Sequence, residues 1–178
     1  MQKLYTLDLK YPIGEWQSPN VIHSELIHKW TSDIKNLPSQ LSDVTKNITE
    51  SELKLTYRDG GWTVRQIIHH LADSHMNAYI RHKLAVSTEV PTINPYPEKL
   101  WAEMEDVKSI PVQVSILLLE SLHLRWSTFL FSLNEHDFKK SFFHPGLNRT
   151  VLLEESIGLY SWHGRHHLGH IKLALNKE

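Results

Sequence analysis

Four long stretches of this chain space their apolar residues at the period of an α-helix, which leaves little room in 178 residues for anything but a helical bundle. In the first stretch the stripe is Ile22, Leu26, Ile27, Trp30, Ile34, Leu37, Leu41, Val44 and Ile48. Ser18-Pro19 supplies a helix cap and a first-turn proline before it, and Pro38 is expected to kink or split it. The second opens on Thr63-Val64-Arg65-Gln66, a capping box, and buries Val64, Ile67, Ile68, Leu71, Ser74 and Ala78. A third runs from about Pro111 to Leu133 and a fourth from about Leu153 to Leu175. Phe142-Phe143-His144 and Arg149-Thr150-Val151-Leu152, on either side of Pro145-Gly146-Leu147-Asn148, predict a small β-hairpin before the last helix. Residues 1–17 read as an irregular arm with a turn at Tyr11-Pro12-Ile13-Gly14-Glu15. The expected fold is all-α, a four-helix bundle with a kinked first helix, occupying residues 1–178 as a single domain.

Composition removes several classes of function. There is no cysteine, so disulfides, thiolate metal sites, iron–sulfur clusters and a cysteine nucleophile are excluded, and any metal must be held by nitrogen or oxygen. The formal net charge of -1 offers no electrostatic footprint for nucleic acid or an anionic membrane. Met1–Lys10 lacks the long apolar core of a secretory signal, and the longest strongly apolar run, Ile116-Leu117-Leu118-Leu119, is far short of a membrane span. A cytoplasmic protein is expected.

The chemistry-bearing feature is Trp162-His163-Gly164-Arg165-His166-His167-Leu168-Gly169-His170, together with His69-His70. Positions i and i+4 of a helix share a face, so His163 with His167, or His166 with His170, can grip one ion. A third imidazole from another helix would leave a coordination position open, as catalytic zinc sites do. A partly buried polar face whose histidines bond to backbone or water is the other reading. His70 borders an apolar stripe, where a hydrogen-bonded core histidine is the commoner role. Asp73, one turn on, can orient an imidazole or be a solvated carboxylate. His23, His28, His69, His75, His82, His123, His136 and His144 read as scattered surface or loop histidines. The metalloprotease motif His-Glu-x-x-His is absent, with Gly164 where its glutamate would stand.

Tyr57-Arg58-Asp59-Gly60-Gly61-Trp62-Thr63-Val64-Arg65-Gln66, running into His69-His70-Leu71-Ala72-Asp73-Ser74-His75, resembles the YfiT branch of the DinB-like superfamily. Gly158-Leu159-Tyr160-Ser161-Trp162-His163 with His166-His167 resembles its second motif, and Tyr11–Glu15 fits as well, so the likeness covers nearly the whole chain. It implies a four-helix bundle with a three-histidine site for one divalent metal ion per chain, zinc or nickel, with His70, His163 and His167 as ligands by position. It also implies a homodimer and a metal-dependent hydrolase acting on a small molecule through metal-activated water. Relatives in the superfamily transfer low-molecular-weight thiols such as bacillithiol, so a thiol S-transferase is the alternative. A non-catalytic metal-binding or sensing protein is the third reading. One departure is Leu152, where a Thr or Ser cap on the last helix is expected.

Overall fold

The computed structural model describes residues 8–177. The first seven residues of the expected N-terminal arm, and with them most of the segment read as lacking a signal, lie outside the described residues. Four long helices, α1 (Ser24–Val44), α2 (Val64–Ser87), α5 (Val112–Phe131) and α7 (Leu153–Ala174), form the bundle. Short helices α3 (Glu98–Trp101), α4 (Glu105–Ser109) and α6 (Glu135–Phe138) occupy the connections. In the bundle α1 and α2 each pack against both α5 and α7.

Helix starts and stops follow local chemistry. The capping box of α2 forms as read: Gln66 N–H donates to the Thr63 hydroxyl at 3.2 Å, and Thr63 N–H donates to Gln66 Oε1 at 3.0 Å. The first helix departs from expectation at both ends. It begins at Ser24, not at Ser18-Pro19, because Trp16 and Ile22 pack on the bundle from the extended segment before it. It ends at Val44, and Asn47, held at φ 59°, prevents the helix from reaching Ile48. Pro38 does not split it: the helix continues on both sides. Leu152 provides no side-chain cap for α7, which nonetheless starts at Leu153, with Glu154 and Glu155 placed favourably against the helix dipole. The hairpin forms over β1 (Ser141–His144) and β2 (Arg149–Leu152), pairing Phe142 with Val151, and Asn148 takes the left-handed conformation that closes its turn.

The core is divided. One apolar layer joins Leu37 and Leu41 of α1 to Ile67, Ile68 and Leu71 of α2, Leu119 of α5 and Ile171 of α7. The other joins Ile27, Trp30 and Ile34 to Ala78, Trp126, Leu130 and Ile157. Between the layers lies a belt of histidines: His70 and His75 from α2, His123 from α5, and His163 and His167 from α7. His75 and His123 are 0 % exposed, and His82 next to the belt is equally buried. These three, with His69, were expected at the surface. They are core residues, because Ile68, Leu71, His75, Ala78 and His82 continue one helical stripe, as do Leu119, His123, Trp126 and Leu130. His23, His28 and His136 are exposed, as expected.

Candidate metal centre

A buried imidazole carries a hydrogen-bonding nitrogen on each side, and leaving either unpaired in a core is costly. The belt meets that cost through two chains of hydrogen bonds, each of which ends on a backbone carbonyl.

The longer chain begins at Pro38. Proline has no N–H, so it cannot donate to the carbonyl of Ile34 one turn earlier. That oxygen instead accepts from His123 Nδ1 at 2.5 Å. A carbonyl only accepts, so the proton of neutral His123 sits on Nδ1 and its Nε2 must accept. His123 Nε2 faces His75 Nδ1 at 2.9 Å, and His75 Nε2 faces His163 Nδ1 at 3.1 Å. Carried along the chain, the same logic puts the His163 proton on Nδ1 and leaves its Nε2 with a free lone pair.

The shorter chain reaches His167. His170 Nε2 donates to the Lys10 carbonyl at 3.1 Å, so its Nδ1 accepts from His167 Nδ1 at 3.4 Å. His167 Nε2 is therefore also a bare lone pair. Each candidate ligand on α7 is thus held as the tautomer that presents Nε2.

These lone pairs converge with His70. One nitrogen each from His70, His163 and His167 lies within 4.8 Å of the others, and His70 Nε2 is 3.3 Å from His163 Nε2. Two imidazoles on a tetrahedral zinc ion, each about 2.0–2.1 Å from the metal, have nitrogens about 3.3–3.4 Å apart. The donor set therefore fits a divalent ion of that size. His166, His167 and His170 form a second group within the same reach. It lacks ligands, however: His170 spends one nitrogen on Lys10 and the other on His167. Of the two i, i+4 pairs left open by spacing alone, His163 and His167 are the pair whose Nε2 atoms stay free of other hydrogen bonds and gather with His70. His166 instead stacks on Trp162 with ring centroids 4.3 Å apart.

Burial keeps all three imidazoles neutral. It pushes His70 down to about 4, and holds His163 and His167 well below the ordinary imidazole value, with the neighbouring histidines adding repulsion. Asp73 plays no orienting part. Its carboxylate bonds to no histidine among the described residues; burial, then the charge of Asp106, raises it to about 6. Gly164 also finds its reason here. A β-carbon on it would come within 2.6 Å of Leu37 Cδ2, so glycine here makes room for the buried Leu37 side chain of α1. A glutamate at this position, as in a His-Glu-x-x-His helix, would have to displace Leu37.

His163 forms part of the wall of a cavity of about 380 Å³ between α2, α7 and the hairpin, lined also by Ser74, Arg81, Tyr96, Phe142 and Tyr160. His144, read from the sequence as a surface or loop histidine, lines it too.

Comparison with known proteins places the chain in a family. The model of the DinB superfamily matches residues 34–171. The chain belongs to that superfamily. This DinB-superfamily chain is 50% identical over 164 residues to a Bacillus mycoides (strain KBAB4) protein named "Putative metal-dependent hydrolase", with 92% of this chain and 94% of the relative covered. A Bacillus cereus (strain AH820) protein of the same name matches equally well. Among solved structures it is similar to YfiT from Bacillus subtilis, titled a "probable metal-dependent hydrolase with an unusual four-helix bundle topology". The TM-score there is 0.90 at 43% identity, covering 96% of this chain and 99% of that one. The mycothiol-dependent maleylpyruvate isomerase shares the fold at a TM-score of 0.64 and 16% identity, covering 82% of this chain and 60% of that one.

Proposed function

We propose that this protein is a metal-dependent hydrolase of a small molecule, with one divalent ion held by Nε2 of His70, His163 and His167. The observation that carries the reading is the pair of hydrogen-bond chains that leave Nε2 of His163 and His167 unprotonated and aimed at the nitrogen of His70. Zinc suits three neutral imidazoles with a fourth position open, and nickel is the second metal the same donors accept. Bound there, the ion supplies Lewis acidity that makes a water or thiol at the open position acidic. The protein's own share is to exclude bulk water around the imidazoles, to fix their tautomers, and to offer a mainly apolar cavity beside them for the substrate. The names of the Bacillus relatives support the hydrolytic reading.

Thiol transfer is the second reading. It is favoured by the position of the carboxylates: no carboxylate hydrogen-bonds to any of the three imidazoles among the described residues, and Glu155 on the cavity wall is tied to Arg149. A thiolate nucleophile needs no such base. Metal content of untagged protein tests the centre. Metal-loaded protein is then offered esters and amides, and separately an electrophile with bacillithiol or glutathione. Metal-dependent cleavage supports hydrolysis, and thiol-dependent conjugation supports transfer.

We also propose a homodimer through the outer faces of α5 and α2. Val114, Leu117, Leu124 and Phe131 on α5, with Ile80 and Leu84 on α2, are exposed large apolar residues at helical spacing. Helix α5 is long and apolar enough to cross a membrane, but its other face is packed in the bundle and carries His123.

A further inference from the structure

The cavity beside His163 contains a positive charge that nothing neutralises. Arg81 is 8 % exposed and takes part in none of the ion pairs among the described residues. Its Nη2 donates to the Asn94 carbonyl at 3.2 Å, its Nη1 reaches the Tyr160 hydroxyl at 3.5 Å, and its buried Nε–H finds no acceptor among the described residues. The buried hydroxyl of Tyr96 lies beside the Ser74 hydroxyl but makes no well-formed hydrogen bond among the described residues. A guanidinium offers five donors in a fixed fork, and one taken out of water needs an anion or a full set of acceptors. Arg149 on the same wall is already paired with Glu155, and Glu98 at the rim is exposed to solvent. One unspent positive charge is left facing the cavity.

Its place in the fold connects it to the metal ligands. Arg81 follows His70 by 11 residues on α2, three helical turns, and so lies on the same face about 16 Å along the axis. Arg81 and the candidate ligand His163 line the same cavity. Tyr160, one turn before His163 on α7, bridges the interval: its hydroxyl meets Arg81, and its ring centroid is 5.6 Å from that of His163. The rest of the wall is largely apolar, including Phe142, Val151 and Leu159.

We propose that Arg81, with the hydroxyls of Tyr160 and Tyr96, forms a subsite for the carboxylate of a small monoanionic substrate. The apolar part of that substrate fills the cavity, and its reactive bond reaches the three histidines. A planar carboxylate matches the fork of the guanidinium, and a single negative charge matches the single uncompensated positive one. The placement of the reactive bond rests on the metal-centre reading, whereas the grip of Arg81 on a carboxylate needs no metal.

The test is calorimetric titration of hexanoate and of its neutral isostere hexanamide into chelator-treated and zinc-loaded protein, with Arg81→Gln and Arg81→Lys alongside. Hexanoate is expected to bind the chelated wild type at least tenfold tighter than hexanamide, to lose that advantage in Arg81→Gln, and to keep part of it in Arg81→Lys. In wild-type protein the ¹⁵N resonance of Arg81 Nε–H is expected to move on adding hexanoate, a readout that stands even if a variant fails to fold. Hexanoate that binds zinc-loaded protein only, equally in Arg81→Gln, is going to the ion: the subsite is then overturned and the metal centre stands. Hexanoate that binds chelated protein through Arg81 while zinc never binds leaves the subsite standing and removes the metal centre. An unmoved Nε–H resonance at saturating hexanoate overturns the subsite outright.

Discussion

The carbonyl of Ile34, left without a helical donor by Pro38, is taken up by Nδ1 of His123 at 2.5 Å. A proline inside a helix is ordinarily a defect; here it creates the acceptor that sets the tautomers of three successive imidazoles. His123→Phe is therefore expected to act at a distance. It leaves the Ile34 oxygen and His75 Nδ1 unpaired, which destabilises the fold by about 2–4 kcal/mol. It should also weaken zinc binding about tenfold, although residue 123 touches no metal. Denaturant unfolding and competitive zinc titration measure the two effects; unchanged zinc affinity would refute the relay.

The ligand assignment separates four neighbouring histidines. His163→Ala and His167→Ala are expected to abolish tight zinc binding, and His166→Ala to leave it nearly intact. His170→Ala should fall between, about tenfold weaker, because His167 loses the partner that fixes its proton. An empty site in His166→Ala with a full one in His163→Ala would reverse the choice of pair.

Acid should unfold the metal-free protein early. Burial, with the charge of Arg81 second, pushes His82 down to about 3, and burial pushes His123 down to about 4. Above pH 6.5 each is neutral in both folded and unfolded chains, so neither affects stability's dependence on pH. Below 6.5 the unfolded chain takes up protons that the folded one refuses, and stability falls with pH until about 4 for His123 and about 3 for His82. At pH 5 each histidine accounts for a loss of about 2 kcal/mol. Urea midpoints in chelator at pH 7.5, 6 and 5 check this, and a constant midpoint would contradict it.

Gly164→Ala should destabilise despite the better helix propensity of alanine. The new methyl meets Leu37 Cδ2 at 2.6 Å, and Leu37 is itself buried with little room to retreat. The expected cost is about 1–3 kcal/mol. Adding Leu37→Ala opens space for that methyl, so the double variant should be more stable than the two single losses sum to. Thermal unfolding of the four proteins completes the cycle.

Leu117→Lys with Leu124→Lys is expected to leave a folded monomer, since both side chains are more than 60 % exposed. Light scattering coupled to size exclusion decides: a single-copy mass for the wild type would remove the proposed interface.

Much of this was legible in the residues. Apolar periodicity located the four long helices, Thr63 and Gln66 announced the start of α2, and Pro145–Asn148 marked the hairpin turn. The i, i+4 spacing narrowed the candidate metal ligands on α7 to two pairs. What the spacing could not supply was the choice between them, because it depends on the carbonyls of Lys10 and Ile34, and every residue carries a carbonyl. His75, His82 and His123 were expected at the surface and are buried. They extend the stripe, and the relevant signal was their helical spacing: His75 and His82 stand at heptad intervals from Ile68, and His123 one turn after Leu119. The start of α1 was missed because Ile22 fits a helical period equally well when it packs from extended chain.

That both hydrogen-bond chains end on main-chain oxygens has a consequence for inheritance. Residues 34 and 10 can drift in sequence without losing the acceptor, since substitution alters the side chain and not the peptide group. Mutational sensitivity should therefore be concentrated at the proline and the imidazoles, at positions 38, 75, 123 and 170. A tautomer controlled by a carboxylate can be lost by one base change at that carboxylate; here the terminal acceptor is beyond the reach of point mutation.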